Sequence, residues 1–320
     1  MSAFRKSSRD VVLCECFARD GLQHEQAHVA TVEKIGLVQR FADLGFERVE
    51  ATSYSNPAVV PQFADASDML RQLTRRVGTN YKATCANERA VERAVADHQK
   101  GFGATEISFL VSASESHSMR NLKRNRAAQW ESVARMRARA GEVFRIVGTI
   151  SVAFGCPFEG EVSASTVVRD VERFANLGIG MVALGDTTGM ATPQTVARLV
   201  KAIRAAVPEV ILVAHFHDSR GTGLVNCLAA LDAGVTYFDS SFGGVGGHPA
   251  GVAYGSGYTG NVCTEDLVNL FESQGVRTGI DLTDLLGVAT ECESVLGRPL
   301  LGRVTRSGLN PLITGAHFAA

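Results

Sequence analysis

The chain has 320 residues, of which 45% are hydrophobic and 20% charged, and its formal net charge is −1. That length and balance fit a globular protein built as one large α/β domain or two smaller ones. A charge this close to zero leaves no basic field for nucleic acid or an anionic membrane, so neither is expected as a partner.

The first residues, Met1-Ser2-Ala3-Phe4-Arg5-Lys6, lack the apolar core of a signal peptide, and no uncharged apolar stretch is long enough to span a bilayer. The expectation is a cytoplasmic protein. Seven cysteines, at 14, 16, 85, 156, 227, 263 and 292, are an odd number without paired metal-type spacing, and they read as reduced thiols. Cys14 and Cys16 share one face of the first strand, but with no second Cys or His pair nearby they read as core.

In chain order, the apolar segment Val11 to Cys16 predicts a strand and Thr31 to Leu44 a helix; Arg48 to Ala51 and Asn80 to Thr84 are further strands. Helix Asn87 to Gln99 precedes strand Ala104 to Val111, and one long helix, Glu115 to Ala140, precedes strand Phe144 to Ser151. Three more pairs follow: helix Ser163 to Leu177 with strand Met181 to Leu184, helix Pro193 to Val207 with strand Val210 to His215, and helix Gly223 to Ala233 with strand Thr236 to Ser240. Several helices end in glycine just before a strand, as at Gly45, Gly178 and Gly234, where a left-handed cap suits glycine. Eight alternating units predict a closed parallel (β/α)8 TIM-like barrel. An open doubly wound sheet is the alternative, but no Gly-x-Gly-x-x-Gly follows the first strand. No Pro-rich linker interrupts the pattern, so residues 1–320 read as a single catalytic domain. Thr264 to Gly275 and Ile280 to Leu296 begin a set of additional C-terminal helices over about 264–320.

The strand Val210 to His215 ends in His215-Phe216-His217. Side chains alternate along a strand, so both imidazoles point the same way, and two convergent imidazoles can hold a divalent cation. Taken alone, the pair equally fits one ring in a core and the other in a local hydrogen bond. A closed barrel gathers the loops after its strands at one end. That rim receives Arg19, Asp20 and Gln23 after strand one, Glu50 at the end of strand two, Asp186 after strand six, both histidines, and the run Gly243 to Gly247 with His248 and later Asn261.

Asp20, His215 and His217 supply a carboxylate and two imidazoles, with Asn261 as a candidate amide oxygen, which suits a six-coordinate Mg2+ or Mn2+; imidazole also suits zinc. Arg19 can place its guanidinium on an oxygen that gains charge, or pair with Glu50 or Asp186. Asp186 can equally cap the segment that follows it. Gln23, in the same loop as Arg19, reads as a substrate contact. The glycine run lacks a Gly-Lys-Ser/Thr ending and reads as a lid, not a triphosphate cradle.

At Arg19-Asp20-Gly21-Leu22-Gln23, Val49-Glu50-Ala51-Thr52-Ser53, Gly155-Cys156-Pro157-Phe158-Glu159-Gly160, Leu184-Gly185-Asp186-Thr187-Thr188-Gly189, His215-Phe216-His217-Asp218, Asp239-Ser240-Ser241 and Gly260-Asn261-Val262-Cys263-Thr264-Glu265-Asp266, the chain resembles the 3-hydroxy-3-methylglutaryl-CoA lyase family. The likeness runs almost end to end; His-x-His alone is shared with the related isopropylmalate and homocitrate synthases. The resemblance implies a TIM-like barrel with Asp20, His215, His217 and Asn261 as metal ligands and Arg19 as electrostatic catalyst. It implies that Glu50 and Asp186 support the groups around the metal or handle protons, and it implies an acyl-CoA substrate and commonly a homodimer. Family members cleave a 3-hydroxyacyl-CoA into acetyl-CoA and a keto acid by a retro-Claisen reaction.

One position departs from the pattern: the family's glycine-rich loop carries Gly-Gly-Cys-Pro, whereas this chain has Gly246-Gly247-His248-Pro249. An imidazole near pKa 6.5 can still move a proton near neutrality, so His248 is expected to protonate the departing carbon, with Arg19 on the enolate. The replacement also signals a different acyl group. A citramalyl-CoA-type lyase giving pyruvate and a Claisen-condensing synthase are the alternatives. The synthases usually carry further C-terminal domains, so a chain ending soon after Gly308-Leu309-Asn310-Pro311 reads as a lyase. A catalytically silent ligand-binding barrel is the rival from another class.

Overall fold

In a computed structural model, which describes residues 9–25, 28–247 and 260–315, eight strands close into a parallel barrel in strict chain order, β1 pairing with β2 and also with β8. The strands are β1 (Val12–Glu15), β2 (Arg48–Ser53), β3 (Asn80–Cys85), β4 (Glu106–Ser112), β5 (Arg145–Ser151), β6 (Met181–Asp186), β7 (Ile211–Phe216) and β8 (Tyr237–Ser240). The expected barrel is the observed one, with each strand within about two residues of its expected ends.

Around it lie α1 (Thr31–Asp43), α2 (Ala66–Gln72), α3 (Glu88–Gln99), α4 (Glu115–Leu122), α5 (Arg126–Ala140), α6 (Ala164–Asn176), α7 (Pro193–Ala206) and α8 (Gly223–Asp232). The additional C-terminal helices are α9 (Thr264–Ser273), α10 (Leu285–Leu296) and two short ones, α11 (Val304–Ser307) and α12 (Pro311–Thr314). Leu267, Phe271, Leu285 and Val288 from this set share one hydrophobic core with the barrel helices.

Two elements differ from the sequence reading. The single helix expected over Glu115 to Ala140 is two, because Lys123 adopts a left-handed backbone (φ 56°) and the Asn125 side chain accepts a hydrogen bond from Ala128 N, starting a new helix. Local capping overrides the continuous periodicity. The short α2 carried too few turns to stand out in the sequence. Packing of helix on sheet is close at Gly148 in β5, where an added Cβ would sit 2.6 Å from Cγ of Phe174 on α6.

The barrel interior is divided. On one side Val147, Met181, Ala183 and Val213 form a small apolar cluster, with Tyr237 packed against it. The other side is ionic. Arg48 is fully buried and reaches Glu106 at 2.7 Å and Asp239 at 3.3 Å; Lys82 stands beside Glu50 and Asp239. Barrel interiors are ordinarily filled by branched aliphatics, so a charged half must neutralise itself. Among the described residues no helix is long and apolar enough to cross a membrane. All seven cysteines are buried and free, as expected of reduced thiols.

Because Arg48 has no water to fall back on, Glu106→Ala should destabilise the fold by about 3–5 kcal/mol. Urea unfolding of the variant beside the parent checks this, and a loss below about 1 kcal/mol would mean that Asp239 alone satisfies the guanidinium.

Candidate active site

The site is built where β1 ends. The Cys16 carbonyl accepts the N–H groups of Arg19 (3.1 Å), Asp20 (2.8 Å) and Gly21 (3.1 Å), winding Phe17–Gly21 into one wide helical turn. That turn sets Arg19 and Asp20 at the mouth of a cavity of about 360 Å3. Arg19 Nη1 donates to Asp20 Oδ1 at 2.7 Å, and its Nε lies 3.7 Å from Glu50 Oε1. The pairing with Glu50 is therefore present; one with Asp186 is not among the ion pairs of the described residues.

β7 brings the imidazoles. His215 Nε2 and His217 Nε2 are 3.2 Å apart, and His217 Nε2 is 3.9 Å from Asp20 Oδ2. One ligand atom from each of Asp20, His215 and His217 lies within 4.8 Å of the others, a spread that a single cation can bridge. The convergence expected from strand alternation and loop position is what the structure displays. His215 also turns Nδ1 to Asp239 Oδ2 at 3.3 Å, across the β7 and β8 register that pairs the two residues. A carboxylate on one ring nitrogen fixes the imidazole and leaves the other nitrogen for a metal.

Asn261 reaches the site because residues 260–263 lie along the ends of β7 and β8. Asn261 bridges His217, and Val262 N donates to Phe216 O at 3.1 Å. Its Nδ2 donates to Asp20 Oδ2 (2.7 Å) and Val245 O (3.0 Å), and its buried Oδ1 has no hydrogen-bond partner among the described residues. That orphaned oxygen fits the expected metal ligand. Gly246 lies against Asn261 so closely that no Cβ fits there. His248, the expected lid acid, lies outside the described residues.

Charge follows from this geometry. Burial works against the Asp20 carboxylate, but Arg19, both histidines and the Asn261 hydrogen bond outweigh it and hold its pKa at about 2. For His215, burial disfavours the imidazolium, and the Asp239 hydrogen bond with the Asp20 charge raises its pKa above the usual value. Glu50 accepts from Thr84 Oγ1 at 2.6 Å and lines the cavity, as does Gln23, whose Nε2 is 3.1 Å from His24 Nε2.

Asp186 is placed differently. Its neighbours Gly185 and Thr187 line the cavity, whereas Asp186 Oδ1 accepts from Met190 N (2.7 Å) and Ala191 N (3.0 Å), the capping arrangement. Sequence reasoning assigned nothing to Lys82 and no role to Asp239. The available signal was a charge at an inward position inside an apolar strand.

Against known proteins, the family model described as HMGL-like matches residues 10–291. The chain belongs to the HMGL-like family. A hydroxymethylglutaryl-CoA lyase of Bacillus subtilis (strain 168) is 34% identical over 296 residues, 92% of this chain and 96% of that protein. An (R)-citramalyl-CoA lyase of Chloroflexus aurantiacus is 35% identical over 307 residues, 93% of this chain and 95% of that one. Among solved structures, an HMG-CoA lyase of Acinetobacter baumannii in complex with coenzyme A and 3-methylmalate superimposes with TM-score 0.89 and 35% identity, covering 100% of both chains. Within the family, then, both the barrel and its full length are shared with lyases.

Burial pushes the Asp186 carboxyl up to about 7, against the two backbone N–H groups that favour its charged form. A group whose pKa is raised by folding contributes most below its unfolded value, near 4, and that contribution is lost as pH rises through about 7. Asp186→Asn should therefore flatten the decline in stability between about pH 4 and 7, measured by urea midpoints at stepped pH; an unchanged slope assigns the decline to other groups.

Proposed function

We propose that this protein is a divalent-metal-dependent carbon–carbon lyase that cleaves a 3-hydroxy-3-methylacyl-CoA, of the hydroxymethylglutaryl-CoA kind, into acetyl-CoA and a keto acid. The observation that carries the reading is the meeting of Asp20, His215 and His217 around one point, with Arg19 2.7 Å from Asp20. The relatives named as lyases along nearly the whole chain support the same reaction class.

Asp20, His215, His217 and the Asn261 oxygen would hold Mg2+ or Mn2+, which when bound supplies the Lewis acidity that makes a C3 hydroxyl easier to deprotonate. The hydroxyl proton passes to a rim base, the C3 oxygen becomes a carbonyl, and the C2–C3 electron pair moves onto C2 as the thioester enolate. Arg19 faces that developing charge with a guanidinium already oriented by Asp20 and Glu50. His248 delivers a proton to C2 in place of a thiol, giving acetyl-CoA. Glu50 acts through Arg19 as a positioning group, and Asp186 through the turn that it holds.

The (R)-citramalyl-CoA lyase relative supports a second substrate, with pyruvate as the keto product. A homodimer in the cytoplasm belongs to the same proposal, and the seven buried free thiols suit a reducing compartment.

Protein loaded with Mn2+ or Mg2+ and given a panel of 3-hydroxyacyl-CoAs should release acetyl-CoA, stop with chelator and recover with metal. If acetyl-CoA arises from no member of the panel, the silent-barrel reading takes over. Arg19→Met should cut turnover roughly a thousandfold or more with bound metal unchanged; near-parent turnover would remove Arg19 from the chemistry.

A further inference from the structure

The chemistry above uses the turn after β1 and leaves two thiols at the end of that strand without a role. Side chains alternate here, so Glu15 turns toward α9, where it accepts from Thr264 Oγ1 at 2.6 Å, while Cys14 and Cys16 share the other face. The parallel register sets Cys14 opposite Asp239 of β8 and opposite Arg48 of β2. The two Sγ atoms are 3.9 Å apart, and one ligand atom from each of Cys14, Cys16 and Asp239 lies within 4.8 Å of the others. In the sequence these thiols have no further ligand nearby; closure of the barrel brings one from its last strand.

Two sulfurs of a tetrahedral zinc site, each about 2.3 Å from the metal, stand about 3.8 Å apart. Backbone holds the thiols near that spacing, because Cys14 lies in the β1 and β8 ladder and Cys16 N donates to Ser240 O at 2.8 Å. Asp239 lines the cavity, which gives a cation a path from the mouth.

Charge balance allows the ion. Arg48 and Lys82 stand 3.3 and 3.8 Å from the Asp239 oxygens and would repel a cation added to the present charges. With no ion bound, the Cys14 hydrogen bond and burial keep the Cys16 thiol protonated. When a divalent cation binds, each thiol releases its proton to solvent, so two positive charges arrive as two leave. Arg48 and Lys82 then face the same total charge as before. Mg2+ and Mn2+ favour oxygen ligands, whereas Zn2+ and its heavier relative Cd2+ bind thiolates well.

We propose that Cys14, Cys16 and Asp239 form a second metal site, distinct from that of Asp20, His215 and His217. It selects a thiophilic divalent cation of the Zn2+ and Cd2+ kind and leaves the fourth position to water. The site does not depend on the lyase reading, and its test reads binding, not turnover.

Protein held in excess Mn2+, to keep the Asp20 site filled, and titrated with Cd2+ should develop the ultraviolet thiolate-to-Cd2+ charge-transfer band. Cys14→Ala should weaken the Cd2+ affinity read from that band roughly a hundredfold or more. Cys227→Ala, which removes a buried thiol on α8, should leave it unchanged. X-ray absorption of the parent loaded with one Zn2+ under the same Mn2+ excess should show two sulfur neighbours at about 2.3 Å. Absence of the band, or a band that survives Cys14→Ala at the parent's affinity, overturns the site. Should Cys14→Ala fail to fold, the zinc shell of the parent decides, and fewer than two sulfurs there rejects the proposal.

Discussion

Everything at the mouth of this barrel depends on neutralising charge that the fold has taken out of water. Arg48 and Glu106 have side chains with no exposure, and Asp239 and Lys82 have almost none. Isolated, each would cost several kcal/mol of desolvation; linked, they satisfy one another. Replacing such a network by aliphatics of similar volume is often neutral or stabilising, so stability alone does not account for it. Position does. Asp239 receives Arg48 from below and His215 from above, and Glu50 stands between Lys82 and Arg19. The floor is thus continuous with the groups that meet at the rim.

In most barrels of this type the lower layers serve stability and the loops after the strands serve chemistry. Here the separation holds only on the β5 to β7 side, where Val147, Met181, Ala183 and Val213 pack as aliphatics do. On the β2, β3, β4 and β8 side, one chain of ion pairs runs from Glu106 through Arg48 and Asp239 to His215. Rotation of the His215 imidazole is resisted by Asp239, which the Arg48 guanidinium holds in turn. A His-x-His pair on an otherwise aliphatic barrel would have the right residues and a looser ring.

The barrel was legible because alternating periods are a property of short windows: each strand is an apolar run, each helix an amphipathic one, and eight repeats admit few topologies. The site was legible for a related reason. His215 and His217 share a face by alternation, and Arg19, Asp20 and Asn261 reach them because loops after strands converge. Asp239 and Lys82 escaped because their roles are pairwise across the barrel, between strands distant in sequence, and no window contains both partners. Asn125 escaped for the opposite reason: its cap is local, but it interrupts a helical pattern that continues on both sides.

The rim and the floor also obey different constraints. At the floor, side chains of fixed charge hold one another and tolerate little change. At the rim, backbone supplies the precision: the Cys16 carbonyl gathers three N–H groups, and glycine at 246 lets the chain lie against the Asn261 amide where any Cβ would displace it. Gly243 and Gly244, at φ 62° and 67°, turn the chain into Val245. Val245 O accepts from the Asn261 amide at 3.0 Å, and the same amide donates to Asp20 at 2.7 Å, so the glycine turn helps to set the carboxylate that faces the two imidazoles.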